Sequence, residues 1–245
     1  MNRQQQGLSL IELMVSLALG LIIVLGVTQA FISAKNTYLT QNVASAMQED
    51  ARYLLTRMSQ EIRMTGMFGC LKTITSPPND PDVFKAALKN PISRTVDAAK
   101  GNPLMIVTAD VGSAGTAPTW TVVSDCITKN SATAYNGIAA PAAIPQGYMA
   151  FPLRQVFYSF RNNTIFTGPA NAQQPLISNV SRFEVLFGLA NSASTVPVSS
   201  YVAQPTLAQM EQIRTLRLTI AMTDPNNRVA DQQYSVVVAL RNRLE

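Results

Sequence analysis

From Leu8 to Ile32 the chain runs 25 residues with Glu12 as its only ionisable side chain. About 20 apolar residues suffice to cross the hydrocarbon core of a bilayer, so this run reads as a membrane-spanning helix. A secretory signal peptide has a shorter apolar stretch followed by a small-residue cleavage site, and no A-x-A pattern stands near Ala34. Arg3 and the terminal amine precede the span and Lys35 is the first charge after it, a distribution that mildly favours a cytoplasmic N-terminus.

Glu12 is the residue that a plain anchor would not contain. An acid at the centre of a membrane helix costs about 2.5 to 3.5 kcal/mol on insertion scales and less near an end. Two readings follow: Glu12 has a partner, or it sits at headgroup level and is tolerated. If the chain is cut after Gly7, Glu12 becomes the fifth residue of the mature chain, roughly 6 Å along the helix from the new Leu8 amine. A carboxylate and an ammonium are then placed to pair between staggered neighbouring helices.

Composition excludes more than it selects. Apolar residues make up 47% of the chain and charged residues 13%, which suits a membrane segment joined to one exported head. The net charge of +5 is spread without a run of like charges, so it argues poorly for a nucleic-acid partner. The chain has no histidine, so no Ser/His/Asp or Cys/His nucleophile system can be built, and zinc would depend on Cys and carboxylates. GxGxxG, GxxxxGK[ST] and CxxC motifs are lacking. The expectation is a protein with no catalytic residue, no metal and no cofactor. Cys70 and Cys126 are either one disulfide in an oxidising compartment or two buried thiols.

The string Gly7-Leu-Ser-Leu-Ile-Glu-Leu13, behind a short basic polar leader and heading the apolar run, resembles the class III signal of type IV prepilins and type II secretion pseudopilins. The resemblance implies that a prepilin peptidase cuts after Gly7 and N-methylates Leu8, and that Glu12 serves assembly. Leu8 stands where phenylalanine is usual in major pilins, and no proline occurs before Pro77. Gly20 and Gly26 are the positions where the helix could loosen.

Past Ser33 the apolar positions Tyr38, Val43, Met47, Ala51, Leu54, Met58 and Ile62 recur at three- and four-residue steps, which predicts an amphipathic continuation packed on the head. Gly66 is a natural cap, with Arg57 and Arg63 in the last turns. Beyond it the texture is short strands and turns. Pro77–Pro81 and Asn90-Pro91 read as loops. Strands are expected at Leu104–Thr108, Trp120–Val123, Arg182–Phe187, Ile213–Met222 and Tyr234–Leu240. Val156–Phe160 and Thr164–Thr167 around Asn162-Asn163 read as a hairpin, and Asn191–Pro205 as a loop. The expected fold is α+β: a long N-terminal helix packed on an antiparallel sheet. The expected organisation is a leader at 1–7, an anchor at 8–32, an amphipathic helix at 33–66 and a head at 67–245. A Cys70–Cys126 bridge would tie the helix end to the sheet, worth roughly 4 kcal/mol by chain entropy.

Gln48–Arg52 through Glu61–Gly66, the Leu176–Gly188 region and Val238–Arg243 are similar to the PilW family of minor pilins, related to the J-type pseudopilins. The resemblance implies a low-abundance subunit held in the bacterial inner membrane, with its head in the periplasm and later in the pilus. It would work with prepilin peptidase, other minor pilins, the major pilin and the assembly platform. A type II secretion pseudopilin is the structural alternative. A head binding DNA or a surface ligand through Lys85, Lys89, Arg94 and Lys100 is the alternative of another class, although basic residues without interleaved aromatics are usually a solvated face.

Overall fold

The computed structural model describes residues 9–68, 73–79, 81–109, 117–126, 131–139, 144–192 and 197–241. A single helix, α1, runs from Leu10 to Arg63 without a break at Gly20 or Gly26. The chain divides into two compact units, Met1–Ala46 and Met47–Glu245.

In the first unit α1 is a bare apolar helix, and every large apolar side chain from Leu10 to Ile32 is exposed. In the second unit the same helix presents one face to a core. Met47, Ala51, Leu54, Met58 and Ile62 are at most 5% exposed, as their three- and four-residue spacing predicts. The burial begins at Met47, not at Tyr38: Tyr38 is exposed and Val43 only half-buried, both in the first unit, whose described residues form a helix alone. After Arg63 the chain turns at Gly66, whose φ of 75° is the left-handed conformation expected of a cap. The Gly66 N–H reaches Val107 O at 3.2 Å, so the turn delivers the chain straight onto a strand.

The head is two sheets. The larger comprises β1 (Thr73–Thr75), β2 (Ile92–Arg94), β3 (Leu104–Ala109), β4 (Trp120–Ser124), β5 (Ser131–Asn136), β6 (Met149–Arg161), β7 (Thr164–Gly168) and β8 (Gln174–Ile177). Its order is β1-β5-β4-β6-β3-β2, with β7 joining β6 to β8. The smaller comprises β9 (Val180–Ala190), β10 (Val198–Val202), β11 (Ile213–Met222) and β12 (Gln232–Ala239), ordered β10-β9-β11-β12. Pairing is antiparallel throughout except for β1 with β5. The α+β arrangement is as expected, although the single expected sheet is two. The β6–β7 hairpin turns on Asn162 and Asn163, with φ of 49° and 54°, the positive values that a two-residue turn of this hand requires and asparagine tolerates.

The expected loop Pro77–Pro81 holds through Asn79 and gives way at its last residue, and the expected loop Asn191–Pro205 is in part a strand. Pro81 opens helix α2 (Pro81–Lys89); proline is welcome in a first turn, where its missing N–H would have no helical partner. Its buried Phe84 meets Trp120 edge-on, 5.4 Å between ring centroids at 71°, and this pair anchors a core cluster with Val107, Val122 and Leu153. The Asn191–Pro205 region contains β10, which pairs with β9. An edge strand needs only one bonded neighbour, so its Ser-rich composition and adjacent Pro197 do not forbid it.

The turn between β11 and β12 is held by Asp224, 3% exposed. Its carboxylate accepts from Arg228 Nε at 2.9 Å and Nη2 of the same guanidinium at 3.0 Å, and from the backbone N–H groups of Asn226 and Arg228. The Arg228 side-chain bonds foremost hold this carboxyl well below the ordinary carboxylate range. A carboxyl depressed in the folded state stabilises fully above its unfolded pKa, about 3.9, and loses that contribution as pH falls through the folded value. Hydrogen exchange at the Arg228 amide is therefore expected to stay slow at neutral pH and to accelerate only in strong acid. Asp224→Asn should give the fast behaviour at every pH.

Candidate processing and assembly site

Gly7 and Leu8 lie outside the described residues. The first described residue, Ser9, starts the helix: its carbonyl accepts from the N–H groups of Glu12 at 3.0 Å and Leu13 at 3.2 Å. Glu12 falls in the first turn of α1, where a negative charge complements the positive end of the helix dipole. It is exposed, and among the described residues no ion pair or side-chain hydrogen bond takes its carboxylate.

Two hydroxyls of this segment are satisfied by the helix itself. Ser16 Oγ donates to Glu12 O at 2.6 Å and Thr28 Oγ1 donates to Val24 O at 2.7 Å, the back-bonding that lets a hydroxyl sit in hydrocarbon. A window of this helix has a mean hydropathy of 2.6 with none of its residues buried, so it is long and apolar enough to cross a membrane. A Cβ placed on Gly20 or Gly26 would meet no atom within 4 Å. The surface offered to lipid or to neighbouring helices is thus continuous and apolar, with a single carboxylate near its start. Residues 2–28 match the family model described as the prokaryotic N-terminal methylation motif. The chain has the N-terminus of a type IV pilin-like prepilin.

That motif implies cleavage and methylation by a prepilin peptidase, and use by a pilus or secretion assembly machinery. The apolar helix together with the prepilin motif points to membrane anchoring. No curated protein sequence matches the chain.

In the head, the four basic residues do not form one free cationic surface. Lys85 and Lys89 are exposed on α2, while Lys100 lies 3.5 Å from Asp97. Arg94 is half-buried, donating through Nε to Asn102 O at 3.4 Å and through Nη1 to Val185 O at 3.3 Å, so it ties β2 of the larger sheet to β9 of the smaller. Burial lowers its pKa, against the opposing pull of Glu184. Arg94 is a strap between sheets.

A polar cluster that periodicity alone did not single out fastens the helix to the larger sheet. Glu61, 9% exposed, accepts from Tyr158 Oη at 2.7 Å and from Arg57 Nε at 3.3 Å. Arg57 Nη1 also reaches Tyr53 Oη at 3.3 Å. Burial, and secondarily the Glu61 charge, push the Tyr158 phenol well above its ordinary pKa, so it remains a donor. The Arg57–Glu61 spacing of four on a helix was the visible half of this cluster; the tyrosine lies 97 residues away. Tyr158→Phe is expected to leave Glu61 short of a donor and lower stability by about 1 to 3 kcal/mol, read as a reduced urea midpoint at unchanged slope.

Cys126 is disulfide-bonded, and Cys70, the chain's only other cysteine, lies outside the described residues. Thiol labelling of denatured protein without reductant is expected to modify neither cysteine. Full labelling of both would require the head to stand without a bridge.

Proposed function

We propose that this chain is a minor pilin of a type IV pilus, of the PilW kind. It enters the inner membrane as a prepilin with its N-terminus cytoplasmic, is cut after Gly7 and methylated on Leu8, and joins other minor pilins to prime assembly. The observation that carries the reading is the methylation motif over residues 2–28, set on a helix whose later turns are the backbone of a β-rich head. The similarity of Gln48–Arg52, Glu61–Gly66, Leu176–Gly188 and Val238–Arg243 to PilW supports the choice of a minor pilin. The head acts as a building part and binds no cofactor; it is not an enzyme. Motility, adhesion or DNA uptake follows from the fibre that it helps to start.

The test is a deletion strain scored for sheared surface pili and for secreted proteins, with the wild-type chain restored as control. Loss of pili with secretion intact is the expected result. Intact pili with failed secretion would reassign the chain to a type II secretion pseudopilin, which uses the same N-terminal motif.

A further inference from the structure

We infer that the free edge of β12 is a docking site for an extended strand of a partner subunit. The inference rests on the assembly role proposed above but concerns a different surface from the anchor helix.

Proteins blunt sheet edges, because a row of unpaired N–H and C=O groups recruits other strands. This head blunts its other edges. β1 and β2 are three residues each. β8 has four residues, includes Pro175, and breaks register with β7. β10 has five and breaks register between Val198 and Ser200. β12 differs on every count: eight residues, Gln232–Ala239, in unbroken register with β11 from Met222↔Gln232 to Thr215↔Ala239. It contains no proline and no charge, and among the described residues it pairs with β11 alone.

The side chains state what the missing strand must look like. On β11, Leu218 and Ile220 are 0% exposed, whereas their cross-strand partners Val236 and Tyr234 are only half-buried. The core-facing surface therefore runs to the sheet edge, closed at Val238, which is 1% exposed, and only half-covered at Val236 and Tyr234. On the opposite face Gln233, Ser235 and Val237 are exposed and uncharged, with Val237 at 52%. Exposed Asp231, whose carboxylate also accepts from Ser181 Oγ at 2.6 Å, and exposed Arg241 flank the strand with opposite charges. The fitting occupant is an antiparallel strand with apolar residues alternating on the core side and small uncharged residues on the outer side. Its acid stands at the start, facing Arg241, and its base at the end, facing Asp231.

The probe is a short labelled peptide of alternating threonine and valine, with glutamate first and lysine last, titrated against the full chain in detergent micelles and followed by fluorescence anisotropy. Binding is expected, and one of the two alternating N-methylation patterns should weaken it at least about tenfold by removing several ladder hydrogen bonds. Val237→Lys should weaken binding likewise, while Val83→Lys, on the exposed face of α2, should not. No binding, or binding indifferent to both N-methylation patterns and to Val237→Lys, overturns the inference. A disulfide-linked dimer of Val237→Cys chains, formed without peptide, would make a second copy the occupant and overturn the partner strand. The titration does not depend on whether the deletion strain loses pili or secretion, so the two readings fail separately.

Discussion

Cells with an active prepilin peptidase that carry Gly7→Val are expected to accumulate only the full-length chain, whereas the wild-type chain should lose Met1–Gly7 and carry one added methyl group on Leu8. Intact mass of protein extracted from membranes reads both. The reason is steric. Glycine has no Cβ, and valine places a Cβ with two further heavy atoms at the scissile position, where that branched side chain crowds the cut. Insertion should be unaffected, because the apolar run from Leu10 to Ile32 is untouched and carries the hydropathy that holds the helix in lipid. The variant is therefore expected in the membrane fraction, uncut, with surface pili at the level of a deletion strain. Cleavage of Gly7→Val at the wild-type rate, or recovery of only full-length wild-type chain, would end the assignment to prepilins.

Glu12→Ala should separate processing from assembly. The carboxylate is the one ionisable group of the anchor segment, and no hydrogen bond from the helix takes it, whereas the Ser16 and Thr28 hydroxyls are bonded to carbonyls one turn back. Removing it makes the anchor more apolar, so insertion is retained. Cleavage after Gly7 should also survive. Incorporation should fail: processed subunit collects in the inner membrane, and sheared fibres fall toward the deletion level. Glu12→Gln keeps hydrogen bonding without charge and is expected between the two. Wild-type piliation of Glu12→Ala beside a bald deletion strain would leave Glu12 as an acid tolerated at headgroup level.

Much of this molecule was legible in its residues because much of it is governed by local rules. A 25-residue run with one charge admits few folded solutions, and the stripe read from Tyr38 to Ile62 on one helix face is core from Met47 onward. The Asn162-Asn163 turn is equally local, since the side chains that tolerate positive φ stand where the turn needs them. Other features were not legible because their deciding partners are distant. β10 reads as loop until β9 is beside it, and Arg94 reads as surface charge until the carbonyl of Val185, 91 residues away, accepts its hydrogen bond.

By itself, then, the amino-acid order determined an apolar anchor, a helix that becomes amphipathic, and a strand-rich head. Those traits are set by hydropathy, period and turn chemistry within a few residues. Tertiary structure alone decided that the strands divide into two sheets, that Tyr158 closes on Glu61, and that β12 ends the smaller sheet as a long regular edge. Each of these depends on which distant segments share one core, and a side chain's neighbours across such a distance leave no period behind in the chain.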